Sequence, residues 1–190
     1  MTDRRIVLGV TGASGTVLAV RTAEALAAHA EVHTVVTDGA RAVMEHETDD
    51  RAETEDRLAD VSAAVHDEDD FGATIASGTF QTDGMVIVPC SMNTLAKLAA
   101  GLSETLLTRA ADVTIKEGRP LVIVPRESPL SEVHLENMRT MAARGATVVP
   151  PMLGYYYDPD DLDDVVDHLV GKVLERFEMD HDGYDRWTGT

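Results

Sequence analysis

Lysine is nearly missing from this sequence. Only Lys97, Lys116 and Lys172 occur, within 16 basic residues set against 34 acidic ones, for a formal net charge of −18. Such a balance excludes non-specific nucleic-acid binding, which depends on lysine and arginine neutralising phosphates. The acids are spread along the chain. That favours adaptation to high salt, where screening weakens their mutual repulsion, over the competing reading of an acidic docking surface for a basic partner. A lysine that persists where surface lysines are absent is a candidate for a specific task. Cysteine is scarcer still: Cys90 stands alone, so the chain can form neither an intrachain disulfide nor a cysteine-based metal cluster. Metal-ligand spacing is also lacking among the histidines, since His29 and His33 fall across a helix–strand boundary; no metal is expected. No apolar run approaches the ~20 residues of a membrane span. Met1-Thr-Asp-Arg-Arg5 enters a strand without the apolar core of a secretory signal, so a cytoplasmic location is expected.

What is present is an alternation of buried strands and helices. Ile6 to Val10, Glu31 to Thr37, Met85 to Pro89, Leu121 to Pro125 and Ala146 to Val149 read as strands. Several are continuous apolar runs of the kind buried on both faces of a parallel sheet. An alanine-rich helix follows the first strand to about Ala30, with Val17, Val20, Ala23 and Leu26 on one face. Asp38 or Gly39 caps a helix to about Glu47, and residues 52 to 65 read as an amphipathic helix before the solvated acid run Asp67-Glu-Asp-Asp70. Helices follow from about 94 to 100, 106 to 116, 131 to 144 and 160 to 177. The pattern is that of an α/β, Rossmann-like, doubly wound and mainly parallel sheet in a single domain over residues 1–178, with a tail at 179–190.

Ligands of such sheets bind at the carboxyl ends of the strands. Leu121 to Pro125 stops at Arg126-Glu127, which offers that crevice a fixed cation and a carboxyl group; two ordinary surface charges are the alternative. Thr11-Gly-Ala-Ser-Gly15 joins the first strand to its helix, where backbone N–H groups and the helix dipole favour an anion, with Ser14 as cap or donor. This is neither G-x-G-x-x-G nor a P-loop, so a nucleotide-type ligand is expected without an NAD or ATP fingerprint. Pro89-Cys-Ser-Met-Asn-Thr94 supplies hydroxyl and amide groups at a second strand end. Cys90 reads as a small buried hydrophobe, having no histidine placed to activate it. Glu47, Arg109, Lys116, Arg126, Glu127 and Lys172 are ionisable groups at element ends, and their cations suit a doubly charged phosphate. His134 reads as structural.

Thr11-Gly-Ala-Ser-Gly15, Glu47-Thr-Asp49, Pro89-Cys-Ser-Met-Asn-Thr-Leu-Ala96, Leu107-Thr-Arg-Ala-Ala-Asp112, Lys116-Glu-Gly-Arg-Pro-Leu-Val-Ile-Val-Pro-Arg-Glu127 and His134-Leu-Glu-Asn-Met138 resemble the UbiX-type flavin prenyltransferases. The likeness runs in order from about residue 4 to 178. It implies transfer of a dimethylallyl group from dimethylallyl monophosphate to N5 and C6 of reduced FMN, without a metal. The prenylated FMN then serves a UbiD-type decarboxylase. By the same resemblance Gly12, Ala13, Ser14, Thr37, Ser91, Met92, Asn93, Thr94 and Arg126 contact FMN. Lys116, Arg126, Tyr156, Lys172 and Arg109 hold the prenyl phosphate. Ser14, Glu47, Glu127 and Lys116 take part in catalysis, Glu127 in proton transfer coupled to phosphate departure and Glu47 in the later proton removal from C6. Phe71 is expected as an apolar wall.

Two positions depart from the family pattern. Many relatives carry arginine where this chain has Lys172, and many carry arginine where it has Gly118. Relatives form homo-oligomers, commonly dodecamers, with the flavin at subunit contacts. With aromatic residues at only 4% of the chain, the run Tyr155-Tyr-Tyr157 stands out as a contact surface. A carrier that delivers FMN unaltered, and a flavin-dependent decarboxylase acting directly, are the alternatives from other functional classes.

Overall fold

The computed structural model describes residues 4–182; residues 183–190 of the expected tail lie outside them. Six parallel strands form one sheet in the order β3-β2-β1-β4-β5-β6. In chain order they are β1 (Arg5–Val10), β2 (Glu31–Val36), β3 (Ala64–Asp67), β4 (Gly84–Cys90), β5 (Leu121–Pro125) and β6 (Thr147–Val148). The helices are α1 (Thr16–Ala27), α2 (Asp38–Glu47), α3 (Arg51–Val61), α4 (Met92–Ala100), α5 (Leu106–Lys116), α6 (Glu132–Ala143) and α7 (Leu162–Leu174). The expected Rossmann-like, doubly wound architecture is thus present.

Alternation along the strands divides the core in two. Ile6, Leu8, Val86, Val88, Val122 and Val124 face α1 and α7. Val7, Met85, Ile87, Leu121 and Ile123 face α4, α5 and α6. Because both faces are covered, β4 and β5 are buried at every position, and this is why they read as unbroken apolar runs. β5 is interior but not central, since only the two-residue β6 lies beyond it.

Three local expectations are corrected. The helix expected over 52 to 65 ends at Val61, and the chain re-enters the sheet as β3, an edge strand of alternating half-buried and exposed residues. Its histidine and aspartate are the polar residues that protect an edge from further pairing, and they concealed the strand. Thr37, not Asp38 or Gly39, caps α2, its hydroxyl accepting from the Ala40 N–H at 3.1 Å. Val17 points outward, 44% exposed, while Leu18 and Ala19 turn inward beside Val20, Ala23 and Leu26.

Candidate active site

The strand order reverses between β1 and β4, which lie side by side and lead into helices on opposite faces. Their loops are tied by Thr11, which is buried. Its hydroxyl donates to the Pro89 carbonyl at 2.8 Å and accepts from the Ser91 N–H at 2.8 Å. The β2 loop comes equally close. A Cβ on Gly12 would stand 2.9 Å from the Gly39 carbonyl carbon, so backbone meets backbone there.

Around this junction lies a cavity of about 340 Å³ lined by Gly12, Thr37, Ser91, Asn93 and Thr94, all expected from the sequence. Ala13 is buried within the first loop, and Met92 opens α4 against the second core. Gly39, Glu68, Lys97, Thr105 and Thr108 also line the cavity, and sequence reading missed them. The signals were available. Lys97 is one of three lysines and lies one helical turn from Asn93. Thr105 and Thr108 form a capping box at the start of α5.

Helix N-termini carry exposed N–H groups and partial positive charge, so which of them are already filled decides where an anion can go. At α1 the terminus is filled, and of the two roles read for Ser14, cap or donor, the cap is not taken. The Glu47 carboxylate accepts from the N–H groups of Gly15 and Thr16, each at 2.9 Å. Burial alone would raise the Glu47 pKa. Hydrogen bonds from the Ser14 hydroxyl and from the Thr16 and Gly15 backbone outweigh it and hold the carboxyl below its ordinary value. At α2, the Glu68 carboxylate accepts from the Asp38 N–H at 2.8 Å. The α4 terminus holds only its own cap, Ser91, whose hydroxyl accepts from Thr94 N–H at 3.2 Å.

A pH prediction follows from the lowered Glu47 pKa. Its stabilising contribution is complete above the unfolded carboxyl value and is lost as pH falls through the lower folded value. Glu47→Gln should therefore melt at a lower temperature than wild type at pH 7, and the difference should shrink as pH falls from 7 through and below the ordinary carboxyl range. A constant difference across that range in thermal denaturation would contradict this role.

At the end of β5, Arg126 donates its backbone N–H to the Cys90 carbonyl at 3.1 Å. Its Nε is buried and has no hydrogen-bond partner among the described residues, a donor whose desolvation a ligand, a partner chain or a bound water would offset. Glu127 is exposed, one carboxylate oxygen accepting from the Ser128 N–H at 2.9 Å. Both residues border a hollow of about 350 Å³ walled by Leu130, Met138, Pro150, Pro151 and Met152. Ser14 and Glu47 border another, of about 430 Å³, with Val17 and Val20. The Cys90 thiol is fully buried, and burial pushes its pKa far up, which suits an inert core residue. His134 takes part in the capping box of α6, its Nδ1 accepting from the Ser131 N–H at 3.2 Å. Among the described residues no group of three or more metal-ligating side chains is found. Phe71 is 51% exposed and walls none of these hollows.

The expected phosphate cations lie at element ends as read, but at separate stations within one chain. Arg109 and Lys116 lie along α5 facing the segment 74–80, where the Arg109 Nε donates to the Ala76 carbonyl at 3.1 Å. Lys116 ends α5, pairs with Glu117, and precedes the start of β5. Arg126 follows its end, so a strand length of roughly 17 Å separates them. Tyr156 and Lys172 form a third station against α7. The Tyr156 hydroxyl lies 3.1 Å from Nε2 of His168, and the Tyr157 ring stacks on that histidine at 4.1 Å. Lys172 lies in the last turn of α7, whose continuation reaches Phe177 beside Gly84, at the amino-terminal edge of the sheet.

The family model for flavoproteins matches residues 1–174. A probable UbiX-like flavin prenyltransferase of Streptomyces sp. (strain D7) is 48% identical over 187 residues, covering 97% of this chain and 92% of the relative. The crystal structure of a dodecameric FMN-dependent UbiX-like decarboxylase from Escherichia coli O157:H7 superposes with a TM-score of 0.92 at 44% identity, covering 97% of this chain and all of that one. AnUbiX in complex with FMN and dimethylallyl pyrophosphate superposes with a TM-score of 0.93 at 39% identity, covering 98% of each chain.

Proposed function

Because the chain belongs to the flavoprotein family and, within it, to the UbiX-like flavin prenyltransferases, we propose that its crevice joins a dimethylallyl group from dimethylallyl monophosphate to reduced FMN. The observation that carries this reading is the cavity at the reversal of strand order, lined by Gly12, Thr37 and the Ser91–Thr94 turn, where the α4 terminus holds only a neutral cap; the orphaned Arg126 Nε belongs to the hollow at the end of β5. These residues fit FMN. Gly12, Ala13 and Ser14 and the cap Thr37 take one side, the Ser91–Thr94 turn the phosphate-bearing end, and Arg126 the ring side. The reduced flavin would supply N5, which bonds the prenyl C1 and gives up its proton as the C–O bond to phosphate breaks, and C6, which bonds the prenyl C3 as the prenyl double bond takes up a proton at C2 and C6 gives one up.

The protein's part is electrostatic and steric. Cations offset the charge that builds on the departing phosphate. Glu127, exposed at the strand end beside Arg126, passes a proton to that phosphate as it leaves. Glu47, held ionised by Ser14 and two backbone N–H groups, accepts the proton lost from C6. Walls such as Val17, Val20, Met138 and Met152 shelter the allylic group from water.

Since Arg109, Lys116, Tyr156 and Lys172 are distant from Arg126 in one chain, the reading requires that neighbouring copies bring them to its site. The exposed apolar residues Val133, Met152, Leu153 and Tyr155, 53% or more exposed like Leu135, fit burial between copies. With Lys172 in place of an arginine, a point charge replaces a two-pronged clamp and phosphate affinity is correspondingly lower. A UbiD-type decarboxylase is the proposed recipient of the product. Among the described residues no helix is long and apolar enough to cross a membrane.

The test is anaerobic incubation with reduced FMN and dimethylallyl monophosphate, followed by mass spectrometry of the flavin. A flavin heavier by one prenyl unit is expected. Unmodified FMN would instead favour a carrier, and turnover of an aromatic acid without a second enzyme would favour direct decarboxylation.

A further inference from the structure

Lys97 is the one lysine that the proposed chemistry leaves without a task. It lies on α4, one turn after Asn93, and lines the same cavity as Gly12, Thr37 and Ser91. Its side chain is 31% exposed, and its Nζ lies 3.4 Å from the Glu104 carboxylate, just before the capping threonine of α5. Lys97 belongs to the last turn of α4, and its ammonium group borders the cavity while pairing with Glu104 just ahead of α5.

The other positive positions around the junction are taken. Glu47 occupies the α1 terminus and Glu68 the α2 terminus. Glu68 is itself held in place, because its backbone carbonyl accepts from the Leu106 N–H at 2.7 Å. A dianion entering the cavity would be repelled from both carboxylates. Toward α4 and α5 it meets only neutral caps, the hydroxyls of Ser91, Thr105 and Thr108 and the Glu68 carbonyl that holds the Leu106 N–H. Lys97 is the only fully charged cation lining the cavity among the described residues.

Resting on the FMN reading, we propose that Lys97 receives the terminal phosphate of the flavin and so sets the preference for FMN over unphosphorylated riboflavin. Glu104 holds the ammonium at the cavity until the phosphate arrives and competes with it for that charge. The arrangement gives a phosphate a charged contact near two helix starts, while the ring binds through other residues.

The experiment titrates the intact protein with FMN and with riboflavin, following flavin fluorescence, for wild type, Lys97→Met, Lys97→Arg and Glu104→Gln. Loss of a charge-assisted contact should weaken FMN about 10- to 100-fold in Lys97→Met and leave riboflavin nearly unchanged. Lys97→Arg should recover most of the FMN affinity. Glu104→Gln should tighten FMN but not riboflavin. Equal weakening of both flavins in Lys97→Met would mean that the lysine merely supports α4, and unchanged FMN binding would mean that the phosphate lies elsewhere. Either result overturns the proposal while the FMN reading stands. A wild-type protein that binds neither flavin removes both.

Discussion

Lys116→Ala and Arg126→Ala, each expected to lose prenyl transfer by about a hundredfold or more when produced alone, should recover activity when the two chains are co-expressed. The reason is their separation. Lys116 ends α5 ahead of β5, and Arg126 follows the far end of that strand. If both act on one phosphate, they come from different copies. In a random mixture of the two variants, a site draws an intact Lys116 from one copy and an intact Arg126 from another in about a quarter of cases, so about a quarter of wild-type activity should return. The control pairs Arg126→Ala with Glu127→Gln. Both positions border the same hollow in one chain, so no mixture of those variants completes a site, and activity should stay at the level of the parents. Mass measurement of the mixed oligomer establishes that both chains are present. A Lys116/Arg126 mixture that remains inactive would show that Lys116 is not shared between copies.

Gly12→Ala should reduce prenyl transfer by about a hundredfold and lower stability by about 1–3 kcal/mol. The added Cβ would lie 2.9 Å from the Gly39 carbonyl carbon and 3.0 Å from its Cα and oxygen. All three are backbone atoms, which cannot swing aside as a side chain can. The β1 and β2 loops must therefore part, moving Gly12 and Thr37, which both line the cavity, relative to each other. Gly9 provides the comparison. A Cβ there also comes within 2.9 Å of a neighbour, but that atom is Cδ1 of the Leu107 side chain. Leucine can repack, so Gly9→Ala should cost less stability and should leave the loops in place. Thermal denaturation and steady-state kinetics on the two variants check this ordering. A Gly12→Ala enzyme that retains wild-type turnover would mean that the loop crossing has slack.

Much of the architecture was legible because parallel strands buried on both faces write their position into local sequence. Met85 to Pro89 and Leu121 to Pro125 are apolar at successive positions since each residue meets one core or the other. The loops at their ends were legible for a related reason: small and hydroxyl-bearing residues mark places where a helix begins and backbone comes near a ligand or another loop. Thr11 to Gly15 and Ser91 to Thr94 were read in that way; Gly12 lines one cavity with Ser91, Asn93 and Thr94, while Ser14 and Gly15 border another. β3 was hidden, because an edge strand with one half-buried side need not be apolar, and its histidine and aspartate lead into a solvated acid run.

From the sequence alone came the alternation of strand and helix, the scarcity of lysine, the motif-bearing strand ends and the family resemblance. All of these are properties of residues close together in the chain or of its composition. Tertiary structure alone decided which helix termini hold a carboxylate, because Glu47 reaches α1 from the end of α2, and Glu68 reaches α2 from beyond β3. It also decided that Lys97 borders the cavity while Lys116 stands at the far end of the sheet from Arg126. Charges that interact through space are set by where helices end after folding, and the spacing of residues along the chain does not record that distance.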